Sequence, residues 1–180
     1  SLRTGGLGGG AYAASFNVKV TPGQIIYANT GEFSPAWINV AGNFAPTSKT
    51  TGALADNGKV ITNDGLGGLG GSSANCIGSV AYSGGNGGSG FGTYNAAANS
   101  GGGGGGASAG PLGPGNNGAN AVSGGGGTGG SIFGYTTAWA NYGGFGGQGG
   151  GIFSGGYNGG YFPVTSWSVV NSIGLSLIHI

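Results

Sequence analysis

The sequence predicts a mainly β fold. It expects a small antiparallel β scaffold with long glycine-rich loops and polyglycine, polyproline-II-like strands, and no significant helix. Three observations carry this. Glycine supplies 51 of 180 residues, and each glycine inside a helix costs about 1 kcal/mol relative to alanine. No apolar stripe recurs at the 3.6-residue period of a helix face. Short apolar-polar alternations, punctuated by Pro-Gly and Asx-Gly pairs, recur instead through the first 83 residues.

Residues 1–83 read as the β-strand part. In "SFNVKVTPGQIIYAN", Phe16, Val18 and Val20 alternate with Asn17 and Lys19, the period-2 pattern of a strand with one buried face. Thr21-Pro22-Gly23-Gln24 suits a type II turn, with proline presetting φ at its second position and glycine accepting a positive φ at its third. The segment is therefore expected to be a hairpin, with Phe16, Val18 and Val20 facing a core. "AWINVAG", "GKVITN" and "NCIGSVAYSGG" are further short strand candidates.

Residues 84–130 read as glycine-rich loops or polyproline-II-like segments. Residues 131–174 form an aromatic, glycine-rich part. Between 143 and 160 the glycines approach a triplet, "GGF GGQ GGG IFS GGY NGG", and three residues per turn is the period of polyproline II. In that conformation two glycines of each three let neighbouring chains approach, and the third position presents a side chain. The runs in 101–130 are accordingly expected to be ordered. Their backbone groups should find protein partners, and several of their glycines should adopt a positive φ. Collagen is excluded, because glycine does not fall at every third place and there are only six prolines.

Composition favours a folded object over a solvated tail. Only 4% of residues are charged and the formal net charge is +1, whereas disorder ordinarily comes with high net charge. All seven charges lie between Arg3 and Asp64. No basic patch is present to neutralise phosphates, which argues against a nucleic-acid partner. No run of 18 apolar residues is present either, so no membrane-inserted helix is expected.

The ends of the chain read as those of a fragment. It starts at Ser1 and has no methionine. "LSLIHI", residues 175–180, looks like the translated end of a sequencing adapter, so this segment is expected to pack on nothing specific and His179 to carry no function.

Motifs of chemistry are missing or poorly matched. "GALADNGKV" has five residues between its glycines, and Val60 follows its lysine, which does not fit a phosphate-binding loop. One cysteine, Cys76, and one histidine cannot assemble four zinc ligands. Cys76 reads as a small buried apolar side chain. Glu32, Asp56 and Asp64 are the only carboxylates, and Asp56 and Asp64 stand in Asx-Gly contexts that form turns. No enzyme activity and no cofactor are expected. The charge-free region 133–167 is instead rich in aromatic residues. Trp139, Tyr142, Phe145, Tyr157 and Tyr161 are the candidate ligand contacts, since stiff aromatic side chains give large contact area at low entropic cost. The competing reading makes such aromatics core.

"GGGAYAASFNVKVTPGQ" is similar to the opening of a glycine-rich domain found in tail-fibre and other virion proteins of tailed bacteriophages. "GGLGGSSAN", "VAYSGGNGG", "GGGGGGASAGPLGPGNNGANA" and "SGGGGTGG" resemble later blocks of that domain in the same order. The likeness spans roughly residues 5–130 and continues more weakly to about 162. It departs from the family in two places. Strands that usually precede the first glycine run are missing, and residues 131–170 hold aromatics where more glycine is expected. The resemblance implies a non-enzymatic structural or host-receptor-binding role in a tail fibre or tail tip, located in the virion. Its implied partners are other virion proteins and a host surface glycan or outer-membrane protein. A homotrimer suits a fibre, although no trimerisation motif is present. A cellular extracellular or matrix glycine-rich protein is the alternative, and an ice-binding glycine-rich protein a minor one.

Overall fold

A computed structural model describes residues 5–30, 34–59, 65–90 and 103–121, and the backbone of 177–179. It is mainly β, with two small sheets. One has the order β5-β1-β6, built from Val80–Tyr82, Tyr12–Ala14 and Leu177–His179; the other has the order β2-β3-β4, from Tyr27–Asn29, Ala36–Asn39 and Gly52–Ala55. The pairings are antiparallel, except that β6 runs parallel to β1. One 3₁₀ turn, Ser73–Asn75, is capped by the Ser72 side chain.

The core of the sheets is thin because its side chains are small. β1 is buried on both faces, and its alternation splits the core in two. Tyr12 and Ala14 pack with Ala109 and Tyr82 on one side. Ala13 packs with Ala53, Ala55, Ile38 and Cys76 on the other. Tyr12 and Tyr82, opposite each other in register, stack with ring centroids 6.3 Å apart.

Beyond the sheets the backbone itself forms a second architecture. Within the 83–90 segment, Gly84, Gly87 and Gly90 donate to the carbonyls of Gly71, Gly68 and Gly65. Gly85 and Gly88 donate to Ala107 and Gly104. The amides of Asn86 and Ser89 donate to the Asn117 and Asn120 side chains. Successive residues thus turn to three different neighbours and return to the first after three. This is the period of a polyproline-II-type helix, which has no internal hydrogen bonds and must bond outward.

Six such segments form two layers of three. One layer holds 65–71, 83–90 and 115–121; the other holds 56–59, 5–11 and 103–109. Bonds within the layers include Gly118 to Asn86 and Gly106 to Leu7, each 2.8 Å. Bonds between them include Gly68 to Gly6, Gly9 to Gly85 and Lys59 to Leu69, each 2.8 Å. Three segments are continued by strands: 5–11 leads into β1, β4 leads into 56–59 and β5 leads into 83–90.

Glycine is required here by the closeness of the backbones. A Cβ added at Gly85 would fall on the Asn116 carbonyl, and one at Gly88 on that of Ala119. Across the segment, Gly84 and Gly87 face the Gly9 and Gly6 carbonyls just as tightly. Ser83, Asn86 and Ser89, at the third position, have room for side chains. The 65–71 segment repeats the pattern, with Leu66 and Leu69 at the open position.

Several expectations are corrected. Phe16 and Val20 do not face a core, and each is 55% exposed. Val18 is only half-buried, and residues 16–26 form no strand. The chain leaves the sheet after Ser15, whose hydroxyl bonds the Gly52 carbonyl. Asn17 then takes a left-handed φ of 58°, which breaks the alternation. The turn itself is present: Gly23 has φ 81°, and the Gln24 amide donates to Thr21 at 3.0 Å. Of "GKVITN", Gly58 and Lys59 lie in the bundle, and residues 60–63 lie outside the described residues; a strand not expected from the sequence stands at Gly52–Ala55.

In 103–121 nine backbone amides find protein partners, including Gly104 to Ala119 and Ala107 to Asn116. Only Gly113 has a positive φ there, at 159°. Close approach, and not left-handed backbone, is what demands glycine in this run. Finally, residues 177–179 pair with β1, against the expectation that the segment packs on nothing. The edge of β1 not taken by β5 is a ready template for an extended segment.

Candidate functional site

The bundle presents one outward face, on the layer of 65–71, 83–90 and 115–121. The antiparallel register of the first two segments sets Leu69 beside Asn86 and Leu66 beside Ser89. The parallel register of the second and third sets Asn117 beside Asn86 and Asn120 beside Ser89. The face therefore has two rows, Leu69–Asn86–Asn117 and Leu66–Ser89–Asn120. They are three residues apart along the segments, about 9 Å at the polyproline-II rise.

Leu66 and Leu69 are 57% and 64% exposed, and Asn86, Asn117 and Asn120 are also exposed. Each asparagine is held in place by its oxygen. Asn86 Oδ1 accepts the Gly70 amide at 2.8 Å. Asn117 Oδ1 accepts the Asn86 amide at 2.8 Å, and Asn120 Oδ1 accepts the Ser89 amide at 2.7 Å. Only the oxygen of a carboxamide accepts, so each nitrogen is left as the free donor end. No partner within the described residues takes these donors. Sequence reasoning passed over these residues, although "LGGLGG" and "SGGNGGSG" already carry the triplet.

A second cluster joins the bundle to the sheets. Asp56 is buried, and its carboxylate accepts from the Ser72 amide at 3.0 Å, Asn75 Nδ2 at 2.9 Å and Lys59 Nζ at 3.0 Å. Burial works against its ionisation. The bonds from Ser72, Asn75 and Lys59, with the lysine charge, outweigh burial and hold its pKa below the ordinary carboxylate value. Its backbone carbonyl also takes the Ala11 amide at 2.9 Å. Asp56 is thus a buried anchor, where its Asx-Gly context had suggested only a turn. Cys76, half-buried where a buried side chain was expected, lies beside it, its Sγ accepting the Asp56 amide at 3.4 Å. Burial pushes this thiol's pKa up, and the nearby Asp56 charge adds to the rise.

Among the described residues no group of three or more His, Cys, Asp or Glu side chains could hold a metal ion. No described helix is long and apolar enough to cross a membrane. Trp139, Tyr142, Phe145, Tyr157 and Tyr161 lie outside the described residues, as do Glu32 and Asp64. Comparison with protein-family models, with curated proteins and with solved structures returned no match.

Proposed function

We propose that this chain is a non-enzymatic structural or host-receptor-binding component of a phage tail fibre or tail tip. The observation that carries the reading is the double layer of three-residue-period segments. The tip adhesins of some tail fibres are similar in composition and in three-residue period, with stacked glycine-rich helices carrying variable loops. Such a bundle is a stiff platform built from backbone bonds, with few large side chains, and open surface positions such as Leu66 and Leu69 can vary without breaking those bonds. That suits a virion part that must stay rigid outside a cell while its contacts with a host diversify. On this reading the other partners are virion proteins, and the receptor is a surface glycan or an outer-membrane protein.

Fluorescently labelled chain applied to a panel of bacterial strains tests the receptor-binding role. Saturable staining of a narrow subset of strains is expected, with loss of phage adsorption to those same strains when unlabelled chain is added. Staining of no strain, or equal staining of all of them, would overturn the receptor-binding role.

A further inference from the structure

We infer that the face formed by Leu66, Leu69, Asn86, Asn117 and Asn120 is a binding site for a neutral polysaccharide. The inference rests on the receptor-binding reading and names the surface and the ligand chemistry.

Three properties of the face lead there. The first is the uniform orientation of its amides. Each carboxamide oxygen is occupied by a backbone N–H, at 2.8, 2.8 and 2.7 Å, so each NH₂ group is held as a donor with no partner among the described residues. A ligand matched to this face must offer hydrogen-bond acceptors, and sugar hydroxyl and ring oxygens are such acceptors. The second property is neutrality. No Asp, Glu, Lys or Arg occurs from Gly65 onward, so the face offers no charge with which to attract or select an ionic ligand. The third is the row structure. Each row ends in an exposed leucine, which can lie against the apolar face of a sugar ring while the amides meet its oxygens. The rows repeat every three residues, so a polymer with a repeating unit can engage both. Because the backbone under the rows is bonded on three sides, little conformational freedom is lost on binding.

The structural role of the asparagines, capping outward backbone amides, can be separated from the binding role by substitution. Asn→Asp keeps an oxygen to accept the backbone N–H and removes the NH₂ donors. Electrophoretic retardation in native gels containing dextran, mannan or galactan, with hyaluronate as the anionic control, reads the interaction. The native chain should be retarded by at least one neutral polymer and not by hyaluronate. The N86D/N117D/N120D variant should lose at least tenfold in apparent affinity while keeping the melting temperature of the native chain. The L66S/L69S variant should weaken retardation with the amides intact. No retardation by any neutral polymer, or full retardation of both variants, overturns the assignment. So does retardation by hyaluronate alone, or self-association of the native chain that either variant abolishes. Repeating the cell-staining experiment with N86D/N117D/N120D separates the two claims. Unchanged staining would sink this face and leave the receptor-binding reading standing, whereas a native chain that stains no cells would sink that reading.

Discussion

The Gly88 amide donates to the Gly104 carbonyl at 2.7 Å, and the Gly88 carbonyl lies where a Cβ on Gly103 would have to sit. The two segments are held together by bonds short enough to forbid a side chain between them. Gly103→Ala should therefore destabilise the chain by about 3 kcal/mol, the upper range for overpacking, because the opposing atoms are backbone and cannot rotate away. Gly23→Ala is the informative comparison. Nothing lies within 4 Å of a Cβ there, and only the φ of 81° is unfavourable, so about 1 kcal/mol is expected from strain. Urea unfolding of the two variants measures both, and equal costs would remove close packing as the reason for glycine in the bundle.

Hydrogen exchange distinguishes this bundle from a sheet edge. An edge strand bonds alternate amides to its one neighbour. In 84–90 all seven consecutive amides have acceptors, five of them backbone carbonyls and two asparagine side chains. Slow exchange should extend without interruption from Gly84 to Ser89, as read by NMR or by mass spectrometry of short peptides. Every second amide exchanging fast would mean an ordinary strand.

Much of the architecture could be read from the sequence, and the failures have definite causes. Order over 101–130 follows from a near-neutral, glycine-dense chain being poorly soluble when unfolded, and in the described part, 103–121, the backbone bonds agree with it. The strands at Ala36–Asn39 and Val80–Tyr82 followed from short apolar runs. Phe16, Val18 and Val20 misled because alternation does not reveal where the chain leaves a sheet, and the left-handed Asn17 sits within the pattern. Tyr12–Ala14 and Gly52–Ala55 carried little strand signal, because alanine is a weak strand former; their place is set by tertiary packing around Ala13, Ala53 and Ala55. The outward face was missed for a different reason. The triplet is longest over 143–160, which lies outside the described residues, whereas those described in the structure are the shorter ones at 65–71 and 83–90.

Cys76 reports on the junction between sheets and bundle. Its thiol donates to the Ser72 carbonyl at 3.4 Å and packs against the Ala13, Ala53 and Ala55 cluster. With its pKa raised by burial, little thiolate forms near neutral pH, and the thiolate is the reactive species. Alkylation by iodoacetamide at pH 7.5 should run at least tenfold slower in the native chain than in urea. A native rate equal to the unfolded one would mean that this junction is open in solution.

Asp56 gives the junction a pH dependence of known sign. Its folded pKa lies below the ordinary value of 3.8, because the bonds from Ser72, Asn75 and Lys59 outweigh the burial that opposes ionisation. A depressed carboxylate pKa stabilises the fold fully above the unfolded pKa, and that contribution is lost as pH falls through the folded pKa. Stability should therefore be level from pH 7 to about 5 and then decline towards pH 2. Asp56→Ala removes the acceptor from the half-buried Ser72 amide and from the Asn75 side chain, and should cost about 2–4 kcal/mol at pH 7. Asp56→Asn keeps one oxygen acceptor, but it offers Lys59 no charge and brings two donors into a site that already holds three, so it should fall between the native chain and the alanine variant. Both variants should also lose the native decline below pH 5, since the group that titrates is gone. Melting temperatures of the three proteins between pH 2 and 7 measure this, and an unchanged acid decline in Asp56→Asn would assign the acid sensitivity to another carboxylate.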